Sequence, residues 1–297
     1  EGKTVSVKHE RTAHREDLRL AQGQTVVLQH IQRQDGSSAY YFQETYRLHS
    51  LFWTLCVFLL LVMLIGRKKG FMSLLGLMVS ILILIFVMFP FIRNGWNPFI
   101  VSVMSTFLIA CTTILISHGC NKRTYLVLTA TCTTLFCAII LAFITVELLS
   151  LFGLGSEESV FLQLDPSLHI DPKGLLLAGI IIGALGVLDD ITTSQIAAVD
   201  EVRKANPSYG FSRLYRAGTS VGYEHIASMI NTLALAYIGA SLPMFLLFSS
   251  GGGAPVWVTL NSAFLVEEIA RTLVGSTALL LAMPIATSLA AYAYTKR

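Results

Sequence analysis

The chain has 297 residues, 54% hydrophobic and 13% charged, with a net charge of +3 and a mean hydropathy of +0.66. That balance excludes a soluble globular domain of this length. The small positive charge is spread along the chain and offers no patch to a nucleic acid.

Residues 1 to 48 are polar, with alternating stretches KTVSVKH, QTVVLQH and AYYFQETYR separated by turn signals AQGQ and QDGSS. This patterning predicts a small β-domain, OB-like or SH3-like. The chain opens at Glu1 inside that region, and we expect an upstream segment of signal-anchor type.

Seven apolar segments follow, at 50–66, 70–91, 97–117, 124–149, 174–199, 225–249 and 262–294. Each is near or above the roughly 20 residues that cross about 30 Å of hydrocarbon. We expect a polytopic α-helical membrane protein whose bundle occupies 49–297 and whose main surroundings are the lipid bilayer. Cations cluster in alternate connections: Arg67, Lys68 and Lys69; Lys122 and Arg123; Arg203, Lys204, Arg213 and Arg216; and Lys296-Arg297 at the end. The intervening connections carry only Arg93, only Lys173, or no cation. Positive-inside bias puts the cation-rich loops and the C-terminus in the cytoplasm and the β-domain outside. An upstream anchor helix would bring the spans to eight. Of five cysteines (Cys56, Cys111, Cys120, Cys132, Cys137), four lie in apolar spans as small hydrophobes, and no disulfide framework is visible.

The fifth segment raises the functional question. Gly174 to Leu188 is an apolar run of about 15 residues, which at 1.5 Å each covers only about 22 Å. The helix must continue through Asp189-Asp190 into ITTSQIAAV, so both carboxylates fall in the inner half of the bilayer. Ionisable groups at that depth are costly, and they are functional or paired. Helical stepping aligns Gly179, Gly183, Gly186, Asp190, Thr193 or Ser194, and Ala197 in one small-residue packing stripe. Asp189 lies on a bulkier line. The stripe therefore predicts Asp190 as the more buried carboxylate.

Partners are expected from the sixth and seventh segments: Ser228, Asn231 and Thr232 on one, and Glu267, Glu268, Arg271 and Thr272 on the other. Glu268 and Arg271, three apart, share a face. Arg271 is the one strongly basic group near membrane depth, which predicts an Arg271–Asp190 contact. A carboxylate between desolvation and a nearby cation is suited to a proton relay. The bland reading is a fixed buried ion pair that specifies helix packing.

The segments GALGVLDDITTSQIAAVDEV, VGYEHIASMINTLALAYIGASLPMFLLF and VEEIARTLVGSTALLLAMPIATSLAA resemble the YibE/F-like membrane proteins. With its outside β-domain, the chain resembles the YibE-type member. The resemblance implies a multi-pass protein of a bacterial cell membrane and leaves its activity open. More distantly, LDDITTSQIAAVDEV, the basic segment, ASLPMFLLF and AMPIATSLAA resemble part of a half-unit of the resistance-nodulation-division exporters and Sec accessory proteins, over 174–297. Those proteins carry aspartates on the corresponding helix for proton coupling. This likeness implies association of two copies, or of a YibE-type with a YibF-type chain. The present chain lacks a large porter domain and has two more spans before the aspartate helix.

Other constellations are weak. The histidines (His9, His14, His30, His49, His118, His169, His225) show no zinc-pair spacing, and Glu157, Glu158, Asp165 and Asp171 read as an ordinary acidic outside loop. An intramembrane aspartyl protease needs a second Asp on another span, and none is offered. The run SSGGGAP lacks P-loop context. We therefore expect no enzyme, metal or cofactor. The expected function is a proton-coupled transporter or export-assisting protein using Asp189, Asp190, Arg271, Glu268, Asn231, Thr193 and Ser194. The alternative is a non-transporting scaffold with a structural charge pair.

Overall fold

The computed structural model describes residues 6–8, 20–32, 38–165, 168, 170–250 and 255–296, without the side chains of 248–250. The turn signal at 34–37, the glycine run at 251–253, and His9, His14 and His169 lie outside them. Two units are distinguished, Glu1–Phe71 and Met72–Arg297.

In the first unit, the alternating segments pair as strands. β1 (Val7–Lys8), β2 (Val26–Gln32) and β3 (Ser38–Thr45) form a sheet in the order β1-β3-β2, parallel between β1 and β3 and antiparallel between β2 and β3. The predicted AQGQ turn is present, with Gly23 at φ 89, a conformation that glycine adopts without a Cβ penalty. Helix α1 (Leu48–Ile83) begins two residues after the strand context ends and breaks at Arg67, where φ is 48 and ψ is −134. A non-glycine residue held there costs about 1–3 kcal/mol. The bend is tight: a Cβ on Gly70 would lie 2.5 Å from the Val62 carbonyl oxygen, eight residues back. The predicted basic loop at 67–69 is thus a hinge within a helical run rather than an extended connection.

The second unit holds the remaining helices. A widened turn over Leu84–Met88 runs into α2 (Phe89–Arg93), where Pro90 lacks the N–H that a regular helix would use. There follow α3 (Pro98–His118), α4 (Lys122–Leu148), α5 (Glu157–Leu164), α6 (Pro172–Ala205), α7 (Phe211–Ala240), α8 (Leu242–Ser250), α9 (Val256–Leu260) and α10 (Ala263–Thr295). Asn97, Asn121 and Asp171 cap α3, α4 and α6, each accepting from backbone N–H groups of the first turn. Proline sits at the start of α3 and α6, where its missing N–H costs nothing.

Five helical runs are long and apolar enough to cross a membrane: Leu48–Arg93, Pro98–His118, Lys122–Leu148, Pro172–Ala205 and Ala263–Thr295. The first contains two of the seven apolar segments, joined through the Arg67 break. The sixth segment, expected at 225–249, falls on α7 and α8. Helix α7 starts 14 residues earlier, at Phe211, and leaves only 206–210 between it and α6. It is long, but even its most apolar stretch, 223–240, contains Glu224, His225 and Asn231 and is less apolar than the five.

Helix α6 packs against α3, α4, α7 and α10 and is the most enclosed of the five. Its Ile181, Ala184, Leu185, Leu188 and Ile191 meet residues such as Leu135, Ala138, Leu279 and Met283 in the main core. Lipid tails are as apolar as leucine, so close backbone approach matters more here than hydrophobicity. Ala278, Ala282, Ala286 and Ala290, spaced every four residues on α10, are fully buried and permit that approach.

Candidate functional site

The relative register of α6, α7 and α10 decides which polar groups meet. A Cβ on Gly179 would lie 3.2 Å from Arg271 Nη1, and Gln195 Nε2 donates to Thr287 Oγ1 at 2.8 Å. Both pairs are separated by 92 residues (271 − 179 and 287 − 195), so α6 and α10 run parallel in constant register. Helix α7 runs antiparallel to α6: Gly183 faces the Tyr237 hydroxyl, and Gln195 donates to the Gly218 carbonyl at 2.7 Å.

This register separates the predicted partners. Asp190 is level with Ala282, not with Arg271, which stands three turns away beside Gly179. At 1.5 Å per residue that is about 16 Å. The expected Arg271–Asp190 contact is therefore not formed. Arg271 instead pairs with Glu268 on its own helix, Nη2 to Oε1 at 3.6 Å, the i, i+3 face-sharing expected from sequence. No ion pair reaches Asp189 or Asp190 among the described residues.

The burial order of the two aspartates is also the reverse of the expected one. Asp190 is exposed, whereas Asp189 is half-buried with its Oδ1 enclosed. The stripe does pack in its first half, where Gly179 meets Arg271 and Gly183 meets Tyr237, but it reaches the surface at Gly186, which has nothing within 4 Å of a Cβ position. Thr193 Oγ1, one turn beyond Asp189, is enclosed as well, and neither it nor Asp189 Oδ1 has a hydrogen-bond partner among the described residues. Ser194 Oγ donates to the Ile191 carbonyl at 3.1 Å. Asn231 is exposed on α7.

A second polar group lies near the start of α10. Glu267, 7% exposed, accepts a hydrogen bond from Gly155 N–H at 3.0 Å through Oε1. A Cβ on Gly155 would come within 2.6 Å of Glu267 Oε2, so any side chain there would displace the Glu267 carboxylate. Gly153, at φ 75, lies equally close to the Pro172 carbonyl. Together these contacts tie the 149–155 connection to α10 and α6. Glu268 lines two cavities. One, of about 140 Å³, also touches Gly179, Glu267 and Arg271; the other, of about 290 Å³, also touches Tyr237 and Thr272. Arg271 Nε has no hydrogen-bond partner in this setting. Among the described residues no group of three His, Cys, Asp or Glu side chains gathers as a metal ion requires.

Sequence reasoning passed over the strongest polar node of the bundle. Gln195 is 2% exposed and joins three helices: its amide N–H groups donate to Gly218 on α7 and Thr287 on α10. Gly218 and Gly222 let α7 approach, since a Cβ at either would lie 2.7 Å from Val199 Cγ2 or Met283 Cγ, respectively. The signal was available as GTSVG, a G-x-x-x-G spacing. Less than one turn before Gln195, the Thr131 and Thr192 hydroxyls join α4 to α6 at 2.7 Å.

A mostly helical membrane protein results, with ionisable groups at two levels along an α6–α7–α10 seam. The profile of the YibE/F-like protein family matches residues 54–296, and the chain belongs to that family. No curated protein and no solved structure matches it.

Proposed function

We propose that the protein is a proton-coupled transporter or export-assisting protein in which Asp189 and Asp190 load and release protons. The observation that carries this reading is the setting of Asp189: a carboxylate well inside a membrane-length helix, with an enclosed oxygen, the Thr193 hydroxyl beside it and no cation paired to it. A charge at such depth is rarely kept without a task, and with no cation in reach the partner left to it is a proton. The Glu268–Arg271 pair forms an outer station, and Tyr237, facing Gly183, stands between the two levels. In this reading the run Leu48–Arg93 crosses twice by folding at Arg67, and 211–250 supplies the sixth of seven crossings. The sheet is then outside and the C-terminus cytoplasmic, as the cation bias requires.

A scaffold reading draws on Arg271, which pairs with Glu268 on its own helix, and on Glu267, which pins a loop. One experiment separates the two. The full chain is reconstituted in vesicles with an internal pH dye and an imposed pH gradient. Proton movement is expected in the parent and lost in both Asp189→Asn and Asp190→Asn, with melting temperatures nearly unchanged. Absence of flux in the parent, with loss of stability in the variants, would establish the scaffold.

A further inference from the structure

A cleft of about 560 Å³ lies between α3 and the stretch that leads through the widened turn into α2. Val87 and Phe91 stand on one wall, Leu108 and Cys111 on the other, and Trp96 at the mouth. The two stretches are antiparallel and closed on their inner side. There Gly76 meets Thr113 and Ser117, and Met88, Ile92 and Val101 are buried together with Ala178 of α6. The cleft opens on the other side, where Phe91, Trp96 and Leu108 are exposed. No charged side chain lines it, and Ser105 supplies its one hydroxyl.

Its dimensions select what can occupy it. From Pro98, beside the mouth, to Cys111 the cleft follows α3 for about 20 Å at 1.5 Å per residue. That is half of the roughly 40 Å that a bilayer spans with its headgroup regions, the depth of one leaflet. Spread over this length, 560 Å³ leaves a cross-section of about 28 Å², or a width of about 5 Å. A polymethylene chain, whose carbons pack at about 3.5–4 Å, fits that width. A helix, about 10 Å across with its side chains, does not.

The mouth carries groups suited to a headgroup. The Trp96 ring meets Phe91 edge-on, with centroids 5.3 Å apart, and is otherwise exposed, as tryptophan is where membrane meets water. Arg93 ends α2 three residues earlier. Of the two cations in the cation-poor connections, Lys173 pairs with Glu147 at 2.6 Å, whereas Arg93 is exposed and has no ion-pair partner among the described residues. The dipole of α2 favours a cation at that end but leaves the guanidinium fork open, and such a fork matches the oxygens of a phosphate. We propose that the cleft seats one acyl chain of a glycerophospholipid, with Trp96 beside the ester groups and Arg93 on the phosphate. A free phosphate would use the mouth and leave the apolar length empty. This inference is independent of proton movement.

The test reconstitutes the full chain in phosphatidylethanolamine–phosphatidylglycerol vesicles, extracts it into mild detergent and weighs it by native mass spectrometry. The 32.5 kDa chain is expected to carry one phospholipid. Leu108→Trp overfills the cleft and should cut the retained fraction by about tenfold or more. Ile144→Trp, which puts the same ring at an exposed position of α4, should leave it unchanged. Arg93→Gln should lower it about fivefold. A chain that emerges bare or with detergent alone overturns the proposal, as does equal retention in Leu108→Trp and Ile144→Trp, or in Arg93→Gln and the parent. A second measurement leaves the cleft unaltered. With Trp53 and Trp257 replaced by phenylalanine, Trp96 fluorescence should be quenched by one equivalent of a phospholipid brominated on its acyl chains and not by inorganic phosphate; an unquenched Trp96 overturns the proposal.

Discussion

Removing the Gln195 side chain tests whether the three-helix node holds α6 in register. Gln195→Ala deletes two buried hydrogen bonds, at 2.7 and 2.8 Å. Interhelical bonds in membrane proteins average about 0.6 kcal/mol each, so the two contribute about 1.2 kcal/mol. The four lost heavy atoms leave a void of roughly 60 Å³ where α6, α7 and α10 meet, and at about 24 cal/mol per Å³ it adds about 1.5 kcal/mol. The expected loss is therefore close to 3 kcal/mol. Gln195→Leu keeps most of the volume and loses only the bonds, so it should cost about 1 kcal/mol. Unfolding in mixed micelles, followed by helicity as denaturing detergent is titrated, measures both. A cycle with Thr287→Val isolates the pairwise term, expected near 0.6 kcal/mol. The reasoning is refuted if Gln195→Ala falls within about 0.5 kcal/mol of the parent, a shift typical of unconstrained surface positions, or if the two variants are indistinguishable.

Four further outcomes are expected. Gly155→Ala places a methyl 2.6 Å from Glu267 Oε2 and should cost about 1–3 kcal/mol through overpacking, read as a fall in melting temperature; Glu267→Gln keeps an acceptor for Gly155 N–H and should cost less. Gly153→Ala combines left-handed φ with collision against the Pro172 carbonyl and should be worse than Gly155→Ala in the same assay. Gly222→Ala drives a methyl to 2.7 Å from Met283 Cγ and 2.8 Å from Gln195 Oε1, so it should lower the unfolding midpoint as Gln195→Ala does, with less than additive loss in the double variant. Replacing Thr131 and Thr192 by valine, singly and together, should give a coupling of about 0.6 kcal/mol between α4 and α6.

Much of the bundle was legible because lipid imposes a simple rule: a crossing needs a long apolar run. Helices α3, α4, α6 and α10 lie where those runs predict, and the basic triplet at 67–69 marked a change of direction. Register between helices was not legible. Periodicity on α6 identified Gly179, Gly183 and Asp190 as one stripe, and the first two do meet neighbours. It could not show where a neighbour departs. Helix α7 touches α6 at Gly183 and again at Gln195, positions about 120° apart around a 3.6-residue helix. The covered face therefore rotates as α7 passes, leaving Gly186 and Asp190 open. Likewise, Arg271 and Asp190 were paired by charge alone, whereas the 92-residue offset between α6 and α10 holds them three turns apart.

That offset changes what the aspartates require. Had Arg271 reached Asp190, the pair would be neutral within one chain and needed by nothing outside it. Instead the cation is held near the start of α10 by Glu268, with Nη1 against Gly179, and the inner carboxylates are left to be compensated from outside the described bundle. In the proposed reading that compensation is a proton. Asp189 has an enclosed oxygen and stands one turn from the Thr193 hydroxyl, whereas Asp190, the next residue on α6, is exposed and passes protons between Asp189 and the surroundings. Asparagine keeps the hydrogen-bonding capacity of either side chain and abolishes its titration. Asp189→Asn and Asp190→Asn are therefore both expected to stop proton movement in reconstituted vesicles while leaving the melting temperature nearly unchanged.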